Sequence, residues 1–159
     1  KPKSLWENIK TLPDTVKNLA TNAVDTVVIG PPIAKYQDWK SQQYLKAHPD
    51  TKKEIRYLIP GLGQNSGSQW RDASVLRDAG YVPVHVPPEH HLKREENIKR
   101  KFDYITALHR KTGLKHPENR KDSLKGHSSG ADLAIAMAAD ERTYKAGIRN
   151  KVKRIKKTK

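Results

Sequence analysis

Along the first 25 residues, Leu5, Ile9, Leu12, Val16, Leu19 and Ala23 recur every three or four positions. That period lines one face of a helix. Ser4 and Glu7 have capping-box spacing, and Pro13 suits the first turn of a second helix. Lys1, Lys3, Lys10 and Lys17 flank the stripe. Two readings fit it: an amphipathic helix lying on a membrane surface, and a helix packed on the domain. Residues 24–29 form a β-branched run that Gly30-Pro31-Pro32 closes as a stop. Residues 33–48 read as a helix, and His48-Pro49-Asp50 as a turn.

From residue 54 the period shortens. Residues 54–59 read as a strand that runs into the Gly-rich loop Pro60-Gly61-Leu62-Gly63. A helix follows over 70–79 and a strand over 80–86. Residues 93–111 read as a helix with Ile98, Phe102, Ile105 and Leu108 on one side. Lys93, Arg94, Lys99, Arg100, Arg110 and Lys111 occupy its other side. Residues 122–125 are a short strand, polar for a central position. Residues 131–139 are small and helix-prone, and residues 152–155 resemble the start of one more strand. Strands alternating with helices predict an α/β fold, a mostly parallel central sheet flanked by helices. The chain divides into a lead-in over 1–53, a core over 54–155 and a basic tail over 156–159.

One stretch carries chemistry. Gly126-His127-Ser128-Ser129-Gly130 is a Gly-x-Ser-x-Gly pattern between a strand and a helix. On such a sharp turn the Ser128 hydroxyl stands clear of the backbone. Gly126 and Gly130 are needed where a Cβ would meet the neighbouring strand and helix. The Ser129 N–H then lies at a helix start, aimed at a developing oxyanion. The plainer reading is a Gly/Ser turn that happens to open a helix.

Together with the loop after residue 59, this stretch resembles the α/β-hydrolase family, in particular its lipases and esterases. The resemblance covers roughly residues 54–155. It implies that the Leu62 N–H is the second oxyanion donor. Many members have His where this chain has Pro60. It also implies an acid and then a His after the nucleophile. Here all seven His residues, His48, His85, His90, His91, His109, His116 and His127, precede Ser128. The acids after it, Asp132, Asp140 and Glu141, lie on or at the end of the elbow helix. The C-terminal part of such a fold is therefore incomplete in this sequence. Three explanations stand side by side: a fragment of a longer hydrolase, a shortened relative that lost catalysis, and an upstream base among His85, His90 and His91. The expected activity is serine carboxylic-ester hydrolysis, on a small-molecule or lipid ester and without a cofactor.

Charge adds a rival. The net charge is +15, and residues 141–159 hold nine Lys/Arg against one acid. Such a surface attracts an anionic partner, nucleic acid or membrane, without reading sequence. The alternative function is a hydrolase-like scaffold that binds RNA or another polyanion; the plainer reading of the tail is a solubilising end. The chain has no cysteine, which excludes thiol chemistry and disulfides. His90-His91 lacks a third ligand at helical spacing, so no metal is expected there. No apolar run approaches the roughly 18 residues that span a bilayer, and no signal peptide is visible, so a soluble protein is expected.

Overall fold

The computed structural model describes residues 28–61, 64–89, 92–149 and 153–155. The amphipathic stripe over 1–25, Leu62, His90, His91 and the tail over 156–159 lie outside the described residues.

Every residue of β1 (Ile55–Ile59) is buried. It pairs in parallel with β2 (Val82–His85) on one side and β3 (Ser123–His127) on the other. Beyond β3 lies β4 (Lys153–Ile155), so the order is β2-β1-β3-β4, all parallel. Parallel neighbours need crossover connections, and helices supply them. In chain order the helices are α1 (Gly30–Ala47), which precedes the sheet, and the connecting α2 (Trp70–Asp78), α3 (Arg94–Thr112), α4 (Gly130–Ala138) and the single turn α5 (Arg142–Lys145).

Alternation along β1 divides the core into two faces. Ile55, Tyr57 and Ile59 pack with Val82, Val84 and Leu124 against Phe102 and Ile105 of α3 and Ala134 and Met137 of α4. Leu58 turns the other way, onto Ala73 and Leu76 of α2. The result is an α/β fold with helices on both faces of a parallel sheet. α1 lies along the β2 edge and touches both α2 and α3, covering the exposed side of an outer strand.

Two local expectations change. Gly30-Pro31-Pro32 opens α1, with both prolines in the first turn, while residues 24–27 of the run before it lie outside the described residues. A missing N–H costs nothing there, because first-turn donors have no intrahelical partner. The polar start of β3 is also central and buried. Ser123 donates to Glu54 (2.9 Å) and accepts from Arg56 (3.0 Å). The Asp122 carboxylate accepts from the Ile55 N–H (2.8 Å) and from Arg120 (2.9 Å). The polar beginnings of β1 and β3 satisfy each other, so the strand tolerates residues that an isolated buried strand would reject.

Candidate active site at the switch between β1 and β3

From β1 the chain moves outward to β2, then returns to the far side of β1 for β3. The carboxyl ends of β1 and β3 are thus adjacent while their connections leave in opposite directions. In open parallel sheets this reversal forms the crevice where ligands bind. Ile59 is in register with Gly126, so Pro60-Gly61 and Ser128 leave the sheet side by side.

Ser128 has φ +56°, a left-handed conformation shared by only one other non-glycine among the described residues, His116. For an L-residue this costs on the order of 1–2 kcal/mol. Neither flanking glycine takes a positive φ; each serves close approach instead. A Cβ on Gly126 would lie 2.4 Å from the Cα of Ala131, and one on Gly130 would lie 2.4 Å from the carbonyl oxygen of Ile59. The glycines let β1, β3 and α4 meet, and the serine carries the bend. Ser128 is half-buried, and its hydroxyl has no hydrogen-bond partner among the described residues. Ser129 is exposed and is the N-cap of α4.

Gly61 lies against this turn. A Cβ there would be 2.9 Å from the His127 carbonyl oxygen and 3.1 Å from Ser129 Oγ. The Gly61 N–H donates to Gln64 Oε1 at 2.9 Å, and His127 Nδ1 lies 3.1 Å from the same oxygen. A cavity of about 270 Å³ opens beside the turn, between Pro60, Gly61, Ser129 and Leu133 on one side and Asn97 and Lys101 on the other. Lys101 is buried and donates to the Pro87 carbonyl. Burial brings its pKa down to about 8, against the pull of Glu89. A larger cavity, about 540 Å³, opens at the amino end of the strands, by Glu54 and Asp122. We centre the site on the smaller one, because Ser129 and Gly130, the start of α4 that directly follows the strained Ser128, line it.

No described histidine is brought to the Ser128 hydroxyl. His85 sits on β2 with its Nε2 2.8 Å from Gln37 Oε1. Burial, and then Arg77, lower its pKa to about 4, so it is neutral, and its Nε2 is taken up by Gln37 within the β2 edge of the sheet. His109 is held by the Tyr57 hydroxyl at 2.9 Å. His116 is paired with Glu118, and His48 lies against the Tyr44 ring. Of the acids after Ser128, Asp132 is exposed on α4, and Asp140 pairs with Arg142 at 2.8 Å. Among the described residues no group of three His, Asp or Glu could hold a metal. Leu62, His90 and His91 fall outside the described residues, so the structure does not place them.

No family model, curated protein or solved structure matches the chain. The geometry of the site alone carries the functional reading. Gln64 and His127 are residues of this site that the sequence did not single out. The available signal was a polar side chain three residues after Gly61, a spacing that can close a local side-chain-to-backbone turn.

Proposed function

We propose that the chain is a serine carboxylic-ester hydrolase of the α/β-hydrolase type, lipase- or esterase-like, acting by a Ser nucleophile and a backbone oxyanion hole. The observation that supports it best is the left-handed Ser128 between two glycines that admit no Cβ, at the switch point of a parallel sheet. Ser128 Oγ attacks the acyl carbonyl, the ester C–O bond breaks and the alcohol leaves with a proton. Water then cleaves the acyl-serine to release the acid and free Ser128. The negative charge developing on the carbonyl oxygen is held by the Ser129 and Leu62 backbone N–H groups. The hydroxyl proton needs an acceptor. The candidates within the chain are His90 and His91, in the connection that leaves the carboxyl end of β2. The test is turnover of a small activated ester by the full chain and by S128A. The reading expects S128A to lose nearly all turnover above the rate in water, since removing the nucleophile of a complete serine triad costs on the order of a millionfold. Equal turnover by the two proteins would refute it.

A second reading has its own support, the +15 net charge. On this reading the same scaffold holds RNA or another polyanion on its basic surface, and Ser128 is a structural bend.

A further inference from the structure

The hydrogen atoms of the Gln64–His127 contact follow from a chain of donor and acceptor logic. A backbone N–H can only donate. The Gly61 N–H lies 2.9 Å from the Gln64 side chain, so the atom facing it is the amide oxygen. That same oxygen lies 3.1 Å from His127 Nδ1. Two acceptors do not bond each other, so Nδ1 carries the hydrogen. A neutral imidazole has one N–H, and Nε2 is left as the acceptor.

We infer that Gln64 is a positioning residue: its amide oxygen clasps the loop after β1 to the end of β3 and holds His127 as the Nδ1–H tautomer. The clasp joins the two chain segments that leave the switch point. It also leaves Nε2 as an acceptor on the residue immediately before Ser128. Gly61 is part of the device, since a Cβ there would lie 2.8 Å from Gln64 Oε1 and displace it. The tautomer assignment stands on hydrogen bonding alone; its consequence for Ser128 rests on the hydrolase reading.

The experiment is multiple-bond 1H–15N NMR of the imidazole nitrogens in the full chain at pH 8, for the native sequence, Q64L and Q64E. The native protein is expected to show His127 as Nδ1–H. Q64E keeps the acceptor and keeps that tautomer. Q64L loses it and moves toward Nε2–H, the form histidine favours in water. An Nε2–H signal in the native protein, or an unchanged tautomer in Q64L, overturns the inference. The native measurement stands even if Q64L does not fold. The rate of fluorophosphonate labelling at Ser128 is the second readout. Q64L is expected to slow about tenfold while Q64E stays near native, as for a misaligned reacting group. An unchanged rate in Q64L refutes the positioning role. Absence of labelling in all three proteins, with the tautomers as expected, supports the clasp and counts against the hydrolase reading instead.

Discussion

At the scale of single residues, the turn at Ser128 is held by the absence of two side chains. Gly126 sits in β3 where α4 begins to fold back, and the Ala131 Cα and the Gly130 carbonyl oxygen are each 2.4 Å from where its Cβ would be. These are backbone atoms, and they cannot rotate away. Gly126→Ala must therefore lift the start of α4 off the strand. The expected cost is about 3 kcal/mol, read as a lower urea midpoint. It comes with lost reactivity at Ser128, because the helix start moves. Val75→Ala, at an exposed position on α2, is the control and should change stability by less than about 0.5 kcal/mol. Equal stability of G126A and the native protein would show that the turn is looser than described.

At the scale of elements, the seam between α1 and β2 is polar where an edge contact is usually apolar. Ser41 donates to the Pro83 carbonyl at 2.6 Å, and the His85 N–H donates to the Asp38 carboxylate at 2.8 Å. Arg77 of α2 reaches across to the Gln37 carbonyl and to Ser41, each at 2.8 Å. Burial dominates two groups in this seam, with opposite consequences for pH. It raises the Asp38 carboxyl to about 7, partly opposed by the His85 N–H and Arg77. It lowers His85 to about 4. The folded protein thus holds more protons on Asp38 than the unfolded chain does from about pH 4 to 7. That contribution to stability is present below the unfolded pKa and is lost as pH rises through about 7. His85 binds fewer protons when folded, so its contribution grows over about pH 4 to 6.5. The two oppose each other. D38N keeps an oxygen for the His85 N–H but removes the first titration. Its stability relative to native should therefore increase between pH 4 and pH 7.5, measured as the difference in urea midpoints. A difference that stays flat across that range would show that Asp38 is not held neutral by burial.

At the scale of the whole molecule, the helix over 94–112 was legible from its apolar period and β1 from its apolar run, while the polar β3 reads as a poor central strand. Ile98, Phe102, Ile105 and Leu108 mark the buried face of α3, and β1 is buried throughout. What decides the site was not legible in that way. The order β2-β1-β3-β4 is a long-range pairing that no local spacing encodes, yet it alone sets Gly61 beside Ser129. Gly30-Pro31-Pro32 reads as a stop, yet prolines also fit the first turn of a helix. The tertiary contact decides: a Cβ on Gly67 would lie 2.5 Å from the Pro31 nitrogen, so the turn before α2 is packed on the start of α1. His85 looked available because it ends a strand. Val84 and Val86 take the apolar face, which turns His85 toward Gln37.

Charge also acts at this scale. If the +15 surface holds a polyanion, binding to single-stranded RNA should weaken by at least about tenfold between 50 and 200 mM salt, as read by fluorescence anisotropy. Salt-independent binding, or none at 50 mM, would remove that second reading.

The reactivity of one hydroxyl tests the account most directly. The folded chain is exposed to a fluorophosphonate and the adduct is mapped by peptide mass spectrometry. The expected result is one adduct, on Ser128, that is absent after unfolding in urea and absent in S128A. No adduct on the folded protein, or labelling spread equally over Ser123, Ser128 and Ser129, would contradict the claim that this bend presents a nucleophile.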